Sequence, residues 1–123
     1  MASSSVNLTI DQALLQAIEA HKSQKLHDAE RLYRAILQVQ PAHPDANHNF
    51  GLLALGIGKP EVAIPHLKAA RDANPKQEQF WISYIHALIQ ANRAVEAGKA
   101  IEDGKRIGLS GKAARVLEQR LGV

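Results

Sequence analysis

Apolar residues recur along this chain at the three- and four-residue spacing of amphipathic helices. The segment HDAERLYRAILQVQP shows this pattern over residues 27–41 and ends at a proline. The segment EVAIPHLKAARDANP shows it again over residues 61–75, thirty-four positions later, and also ends at a proline. A fixed period of this length predicts an array of stacked helical hairpins.

The same period holds for residues of quite different size. Small residues are expected where two helices approach closely, large apolar residues where a gap between helices is filled, and turn-forming residues between helices. The matched sets, in that order, are Ala29, Ala63 and Ala97; Tyr33, Leu67 and Ile101; and Gln24, Gly58 and Asn92. We therefore predict three repeats, 10–43, 44–77 and 78–109, within a single domain that spans 9–121.

Each repeat is predicted to contain two helices. The first helix begins with a capping box, because Thr9 is followed three residues later by Gln12. Pro44 and Pro60 suit the first turn of two further helices, where a missing backbone N–H costs nothing. The remaining predicted helices are 26–39, 80–90 and 94–107.

A last helix is predicted over 110–121, with Ser110 as its N-cap and Gly122 as its terminator. This helix is suited to cover the apolar end that a stacked array would otherwise expose. Its apolar stripe consists of Ala113, Val116, Leu117 and Leu121. In the helix before it, Gly98 and Gly104 are expected to let a neighbouring helix approach closely.

Composition and charge agree with a helical protein that does not bind nucleic acid. Aromatic residues make up only 4% of the chain, which favours helices over sheets. The net charge of +3 arises from interspersed acids and bases, without the dense basic stripe of a nucleic-acid binder. The chain has no cysteine, no secretory signal pattern at its start and no apolar run of membrane-spanning length. We expect a cytoplasmic protein with a disordered leader, residues 1–8, and no membrane partner.

One cluster, His43, Asp45 and His48, invites a metal-binding hypothesis. Two of its members are three residues apart at a helix start and the third lies in a connector, an arrangement that is common without metal, so we predict no metal site. The chain shows no serine–histidine–acid triad, no cysteine nucleophile and no phosphate-binding glycine loop. We therefore expect neither catalysis nor a cofactor. His21 and His27 flank a turn and are expected to face solvent.

The repeated positions resemble those of the tetratricopeptide repeat (TPR) family, whose period is also thirty-four residues. The third repeat has Trp81 at the family's tryptophan position, and the first keeps Ala29, Tyr33 and Pro41. The second repeat matches best, through Phe50, Gly51, Gly58, Ala63, Leu67, Ala70 and Pro75. The resemblance implies an all-α fold: a right-handed superhelical solenoid of three helix-turn-helix repeats plus a C-terminal capping helix. It also implies that Trp81 belongs to the core.

The stretch from Phe80 to Leu121 is also similar to the segment that ends TPR arrays ahead of bacterial glycosyltransferase or sulfotransferase domains. This second resemblance implies an N-terminal module of a larger bacterial protein.

In the TPR family the first helix of each repeat lines a concave face that binds peptides or partner segments. The resemblance therefore implies a non-catalytic protein–protein interaction module. It implies that the polar members of the face pair with the partner's backbone while the apolar members bury its side chains. The partner-binding positions that correspond to this face are Leu14, Ile18, His21, His48, Asn49, Leu52, Leu55, Ile82, His86, Ile89 and Gln90.

Chaperone-binding members of the family use lysines, an arginine and asparagines to clamp a C-terminal carboxylate. Only Asn49 fits among the corresponding positions Leu14, Ile18, Asn49, Gln79 and Ser83, which argues against a chaperone-tail adaptor. Two alternatives stay open. Leu14, Ile18, Leu52 and Ile82 pack against neighbouring helices instead of a ligand, or the chain is a self-association module that forms a homodimer and serves a larger enzyme such as a glycosyltransferase.

Overall fold

A computed structural model describes residues 8–122 of the chain, and within this part the regular structure is entirely α-helical. The seven helices are α1 (Ile10–Lys22), α2 (Leu26–Val39), α3 (Pro44–Gly56), α4 (Pro60–Ala73), α5 (Glu78–Gln90), α6 (Ala94–Ile107) and α7 (Gly111–Leu121). The all-α repeat fold is confirmed. Helix α5 starts two residues earlier than predicted, because Glu78 occupies its first turn and Gln77 its N-cap. Of the expected leader, all but Leu8 lies outside the described residues.

The helices form two layers. The odd-numbered helices contact one another in order, α1 with α3, α3 with α5 and α5 with α7, whereas the backbones of the even-numbered helices stay apart. Because the odd-numbered layer is the more closely spaced, the array curves around it. The odd-numbered helices therefore form the inner layer and line the concave side.

The core follows the thirty-four-residue period. Ala29, Ala63 and Ala97 are 0% exposed, and so are Tyr33 and Leu67. The alanines let adjacent helices approach closely, and the larger side chains fill the space beside them at native packing density. The structure confirms Trp81 as a core residue: it is 3% exposed, and its Nε1 donates a hydrogen bond to the Pro75 carbonyl at 2.8 Å.

Glycine relieves crowding at particular contacts. A Cβ at Gly51 would lie 2.5 Å from Leu67 Cδ2, and one at Gly104 would lie 3.1 Å from Leu109 Cβ and from the Trp81 ring. The expected close approach is therefore found at Gly104. It is wrong for Gly98, where an added Cβ would meet nothing nearer than Leu121 Cδ2 at 3.9 Å.

The helix ends follow the local sequence signals. Thr9 and Gln12 form the predicted reciprocal capping box, and the Ser110 hydroxyl accepts from the Ala113 N–H at 3.1 Å. Gly122 terminates α7 in the left-handed region, with φ 89°. No helix within residues 8–122 is both long and apolar enough to cross a bilayer.

Helix α7 closes the array as a fourth inner-layer helix. The Ser110 N–H donates to Glu78 Oε2 at 2.6 Å, and the Lys105 ammonium lies 2.9 Å from the Glu118 carboxylate. Leu117 is 3% exposed against the core. Helix α7 thus covers the apolar end of the third repeat, as predicted for a capping helix.

The turn inside each repeat requires one residue with positive φ. The three residues that the period aligns adopt it: Gln24 at 63°, Gly58 at 77° and Asn92 at 60°. Only glycine enters this region without a steric penalty, and asparagine is the best tolerated of the others. Gln24 is therefore the strained member of the set.

We predict that Gln24→Gly raises the free energy of unfolding by roughly 0.5–1 kcal/mol, because the relief of left-handed strain exceeds the entropy that glycine loses on folding. The urea midpoint should rise at an unchanged slope. The matched control is Ser23→Gly, since Ser23 has a φ of −87° and gains nothing from glycine. A midpoint that falls for both variants would contradict this account of the turn.

Candidate functional site: the concave groove

We define the concave groove as the inner face formed by α1, α3 and α5. Its predicted apolar members are all half-buried, so each exposes part of its surface. Leu14 packs on a cluster around Tyr33 and Phe50, whereas Ile82 and Ile89 pack on a cluster around Trp81. The half-buried apolar members are Leu14, Ile18, Leu52, Leu55, Ile82 and Ile89. All six belong to the inner-layer helices α1, α3 and α5.

His48 has a structural partner inside the groove. Its Nε2 lies 2.8 Å from Ser83 Oγ, and its ring centroid lies 4.8 Å from that of Phe80. His48 is 8% exposed and Ser83 is 4% exposed. This hydrogen bond connects α3 to α5, so His48 Nε2 stabilises the inner layer and is not free for a partner's backbone.

His86 and Gln90 are also engaged. Arg120 Nη1 donates to His86 Nδ1 at 2.8 Å, and His86 Nε2 lies 2.9 Å from the Gln90 side-chain amide. Because a guanidinium only donates, Nδ1 must accept, and the ring proton resides on Nε2. A protonated Nε2 can pair with Gln90 only through the amide oxygen, which requires the amide to be turned from the orientation that places its nitrogen against the ring. Asn49 Nδ2 donates to the Asp45 carbonyl at 2.9 Å.

Of the two histidines expected to face solvent, His27 is exposed, but the expectation is wrong for His21. His21 is half-buried, with its Nδ1 3.4 Å from Tyr33 Oη and the two rings edge to face. The buried Tyr33 needs a partner for its hydroxyl, and the last turn of α1 supplies one.

Arg120 is a residue of this face that was not predicted from the sequence. It lies thirty-four positions after His86 and contacts it directly, so it continues the groove onto α7. Extending the repeat count into the capping helix would have revealed it.

The serine–histidine pair of the groove lacks the features of a catalytic triad. Ser83 and His48 lie as close as a nucleophile and its general base, but Ser83 is buried within α5 and no carboxylate hydrogen-bonds to His48 among the described residues. The His43 side chain caps α3 by accepting from the Ala46 N–H at 3.1 Å. Within residues 8–122 no histidine, aspartate and glutamate side chains gather into a metal-binding cluster.

Burial lowers the pKa of four histidines. For His21 desolvation alone acts, and for His48 it outweighs the opposing effect of the Asp45 carboxylate. For His66 and His86 desolvation is reinforced by Arg34 and Arg120 respectively. Burial also raises the pKa of Tyr33 to about 12. The folded chain therefore favours neutral histidines.

The sequence profile of the tetratricopeptide repeat family matches residues 48–108, which include most of the second and third repeats. The segment 48–108 belongs to this family. The first repeat, α1 and α2, lies outside the match and is placed by its packing against α3. No curated protein sequence matches the chain significantly. TPR units are interaction modules and do not themselves catalyse reactions, in agreement with the expectation of a non-enzyme.

Solved structures share the fold at low sequence identity. The TPR domain of OM64 from Arabidopsis is 18% identical with a TM-score of 0.77, and the match covers 91% of this chain and 93% of that one. The Yersinia enterocolitica type III secretion chaperone SycD, in complex with a peptide of the translocator YopD, is 17% identical with a TM-score of 0.75, covering 97% and 91%. MamA from Desulfovibrio magneticus RS-1 (residues 41 to the end) is 17% identical with a TM-score of 0.70. The match covers 90% of this chain, which spans 57% of that one.

We predict that the chain loses stability in mild acid. The folded-state pKa values of the four histidines lie below the unfolded value of about 6.5. Their contribution is therefore fully present above about pH 6.5 and is lost as the pH falls from there through the lowered values. Urea unfolding at steps between pH 7.5 and pH 5 measures the decline. His86→Gln should reduce the slope of this decline, and a flat or rising stability toward pH 5 would contradict the prediction.

Proposed function

We propose that this chain is a protein–protein interaction module that binds an extended segment of a partner in the concave groove. The observation that carries the proposal is the row of half-buried apolar side chains along the inner layer. A partner's apolar side chains would complete the burial of this row and so contribute binding free energy. Family membership supports the same class of function.

The partner's backbone would meet few unoccupied polar groups. His48, His86 and Asn49 already take part in hydrogen bonds within the chain. A segment bound here would therefore keep much of its backbone hydrated and place alternate side chains against the groove. This revises the expected role of the groove's polar residues, from ligand pairing to fixing the shape of the groove.

We predict that groove residues, and not the outer layer, contact ligands selected from a random peptide library. Amide chemical shifts of the bound chain should change on α1, α3 and α5. The double variant Leu52→Asn with Ile82→Asn should weaken binding by tenfold or more, because it places amides where apolar contacts form. Calorimetry measures the affinity.

The matched control is Val95→Asn, since Val95 is 88% exposed on the outer-layer helix α6. It should bind as the wild-type chain does. The groove would not be the binding site if the shift changes were confined to the outer layer, or if the groove variant and the wild type bound with equal affinity. The shift map needs no substitution, so it remains decisive even if the double variant unfolds.

A second candidate function is self-association, and one observation favours it. Leu15 is 68% exposed on α1, at the repeat position where Ser83 of α5 faces the inner helix of the preceding repeat. Among the described residues no helix packs on this side of α1, so this apolar side chain lacks the cover that Ser83 receives from α3. A second copy of the chain would supply it.

If self-association operates, light scattering should give a mass that rises toward a dimer with concentration, and Leu15→Gln should return it to a monomer. Leu8 is also exposed near this edge, at 37%. A concentration-independent monomer would dismiss the second candidate. The bacterial origin, the larger catalytic protein and the cytoplasmic location stay predictions.

A further inference from the structure

The groove continues onto the capping helix. Counting thirty-four residues on from Ile82 and His86 gives Val116 and Arg120. Helix α7 contacts α5 as α5 contacts α3, so these positions are equivalent in space as well as in sequence. Val116 is 52% exposed, and Arg120 is exposed.

The other faces of α7 are accounted for. Leu117 and Ala114 are buried against the third repeat. Counting on from Tyr84 and Leu88, which pack inside the third repeat, gives Glu118 and Gly122, and Glu118 pairs with Lys105 at 2.9 Å. The side on which an outer-layer helix would pack is therefore polar. The exposure of Val116 is not explained by a missing partner helix on that side.

Arg120 is a cation held in place by a neutral group. Its Nη1 donates to His86 Nδ1, and no carboxylate lies within ion-pair distance of it among the described residues. A guanidinium carries five N–H donors, so four of them have no partner among the residues that the structure describes. Most other arginines have fewer unengaged N–H donors, because they form ion pairs with acidic side chains. The paired ones are Arg31, Arg34, Arg71, Arg93 and Arg106.

The charges of the groove are asymmetric. Its acidic residues, Asp11 and Asp45, belong to α1 and α3. The groove positions of α5 and α7 carry no acid, and their apolar members Ile82, Ile89 and Val116 share this end with Arg120. The α5–α7 end of the groove therefore carries a cation without an acid, whereas α1 carries both Asp11 and Lys22.

We propose that this end of the groove selects a partner segment with an aspartate or glutamate side chain that pairs with Arg120, flanked by apolar residues. This inference rests on the proposed function. Arginine binds carboxylates through two parallel hydrogen bonds, and the bond to His86 orients the guanidinium beforehand. His86 acts as a positioning residue. A side chain is the source of the carboxylate, because the positions that clamp a chain terminus in chaperone-binding relatives lack lysine and arginine here.

The test uses the groove-binding peptides selected from the random library, acetylated and amidated at their ends so that only side-chain carboxylates are present. Acidic residues should be enriched among them, and replacing the acid by its amide should weaken binding to the wild-type chain about tenfold. Arg120→Gln should bind the acidic and amide forms equally. The control Arg115→Gln, at another exposed arginine of α7, should keep the wild-type preference.

The outcomes separate this inference from the proposed function. Peptides that bind the groove without preferring an acid, or a preference that survives Arg120→Gln, would overturn the role of Arg120 and leave the interaction module intact. If Arg115→Gln lost the preference for acidic peptides equally, the preference would arise from the net charge of α7 and not from Arg120 itself. Failure of every peptide to shift the groove amides would overturn both proposals.

Discussion

A helical hairpin of this kind cannot bury its apolar faces alone, and the rest of the structure depends on how the next hairpin covers them. Ala29, Ala63 and Ala97 are completely buried at equivalent places in the three repeats. A larger side chain at any of them would force the helices apart, because interiors packed at this density have little room to adjust. Since the same contact recurs at each step, each hairpin is placed on the last by the same rotation, and curvature follows.

Because the array curves, the side chains of the inner layer both connect successive helices and line the groove. Successive inner helices are connected by polar side chains, His48 with Ser83 and Arg120 with His86. These bonds lie between helices that share few backbone contacts, so they set the spacing across the groove. Both histidines serve in the neutral state, which links the shape of the groove to the pH at which the chain folds.

The fold could be predicted from the sequence because the signals that determine it are local or periodic. A capping box lies within four residues, and Gln24 was placed in a turn by counting, although its own chemistry does not favour positive φ. The hydrogen-bond partners of the groove residues could not be predicted from the sequence. His48 and Ser83 are thirty-five positions apart, and which rotamers meet depends on the packing of several helices. Helix α7 was not predicted to be a fourth inner-layer helix. The side on which an outer-layer helix would pack is polar, and this obscures the repeat pattern.

Core packing and ligand binding are not exclusive roles for the apolar side chains of the groove. An inner-layer residue such as Ile82 or Leu52 has helices behind it and beside it, but none in front, since the array curves around its concave side and leaves that side open. Both residues are therefore half-buried. The part already buried fixes its rotamer and so removes much of the entropy that a partner would otherwise have to overcome. Packing in the folded chain thereby prepares the exposed part for binding.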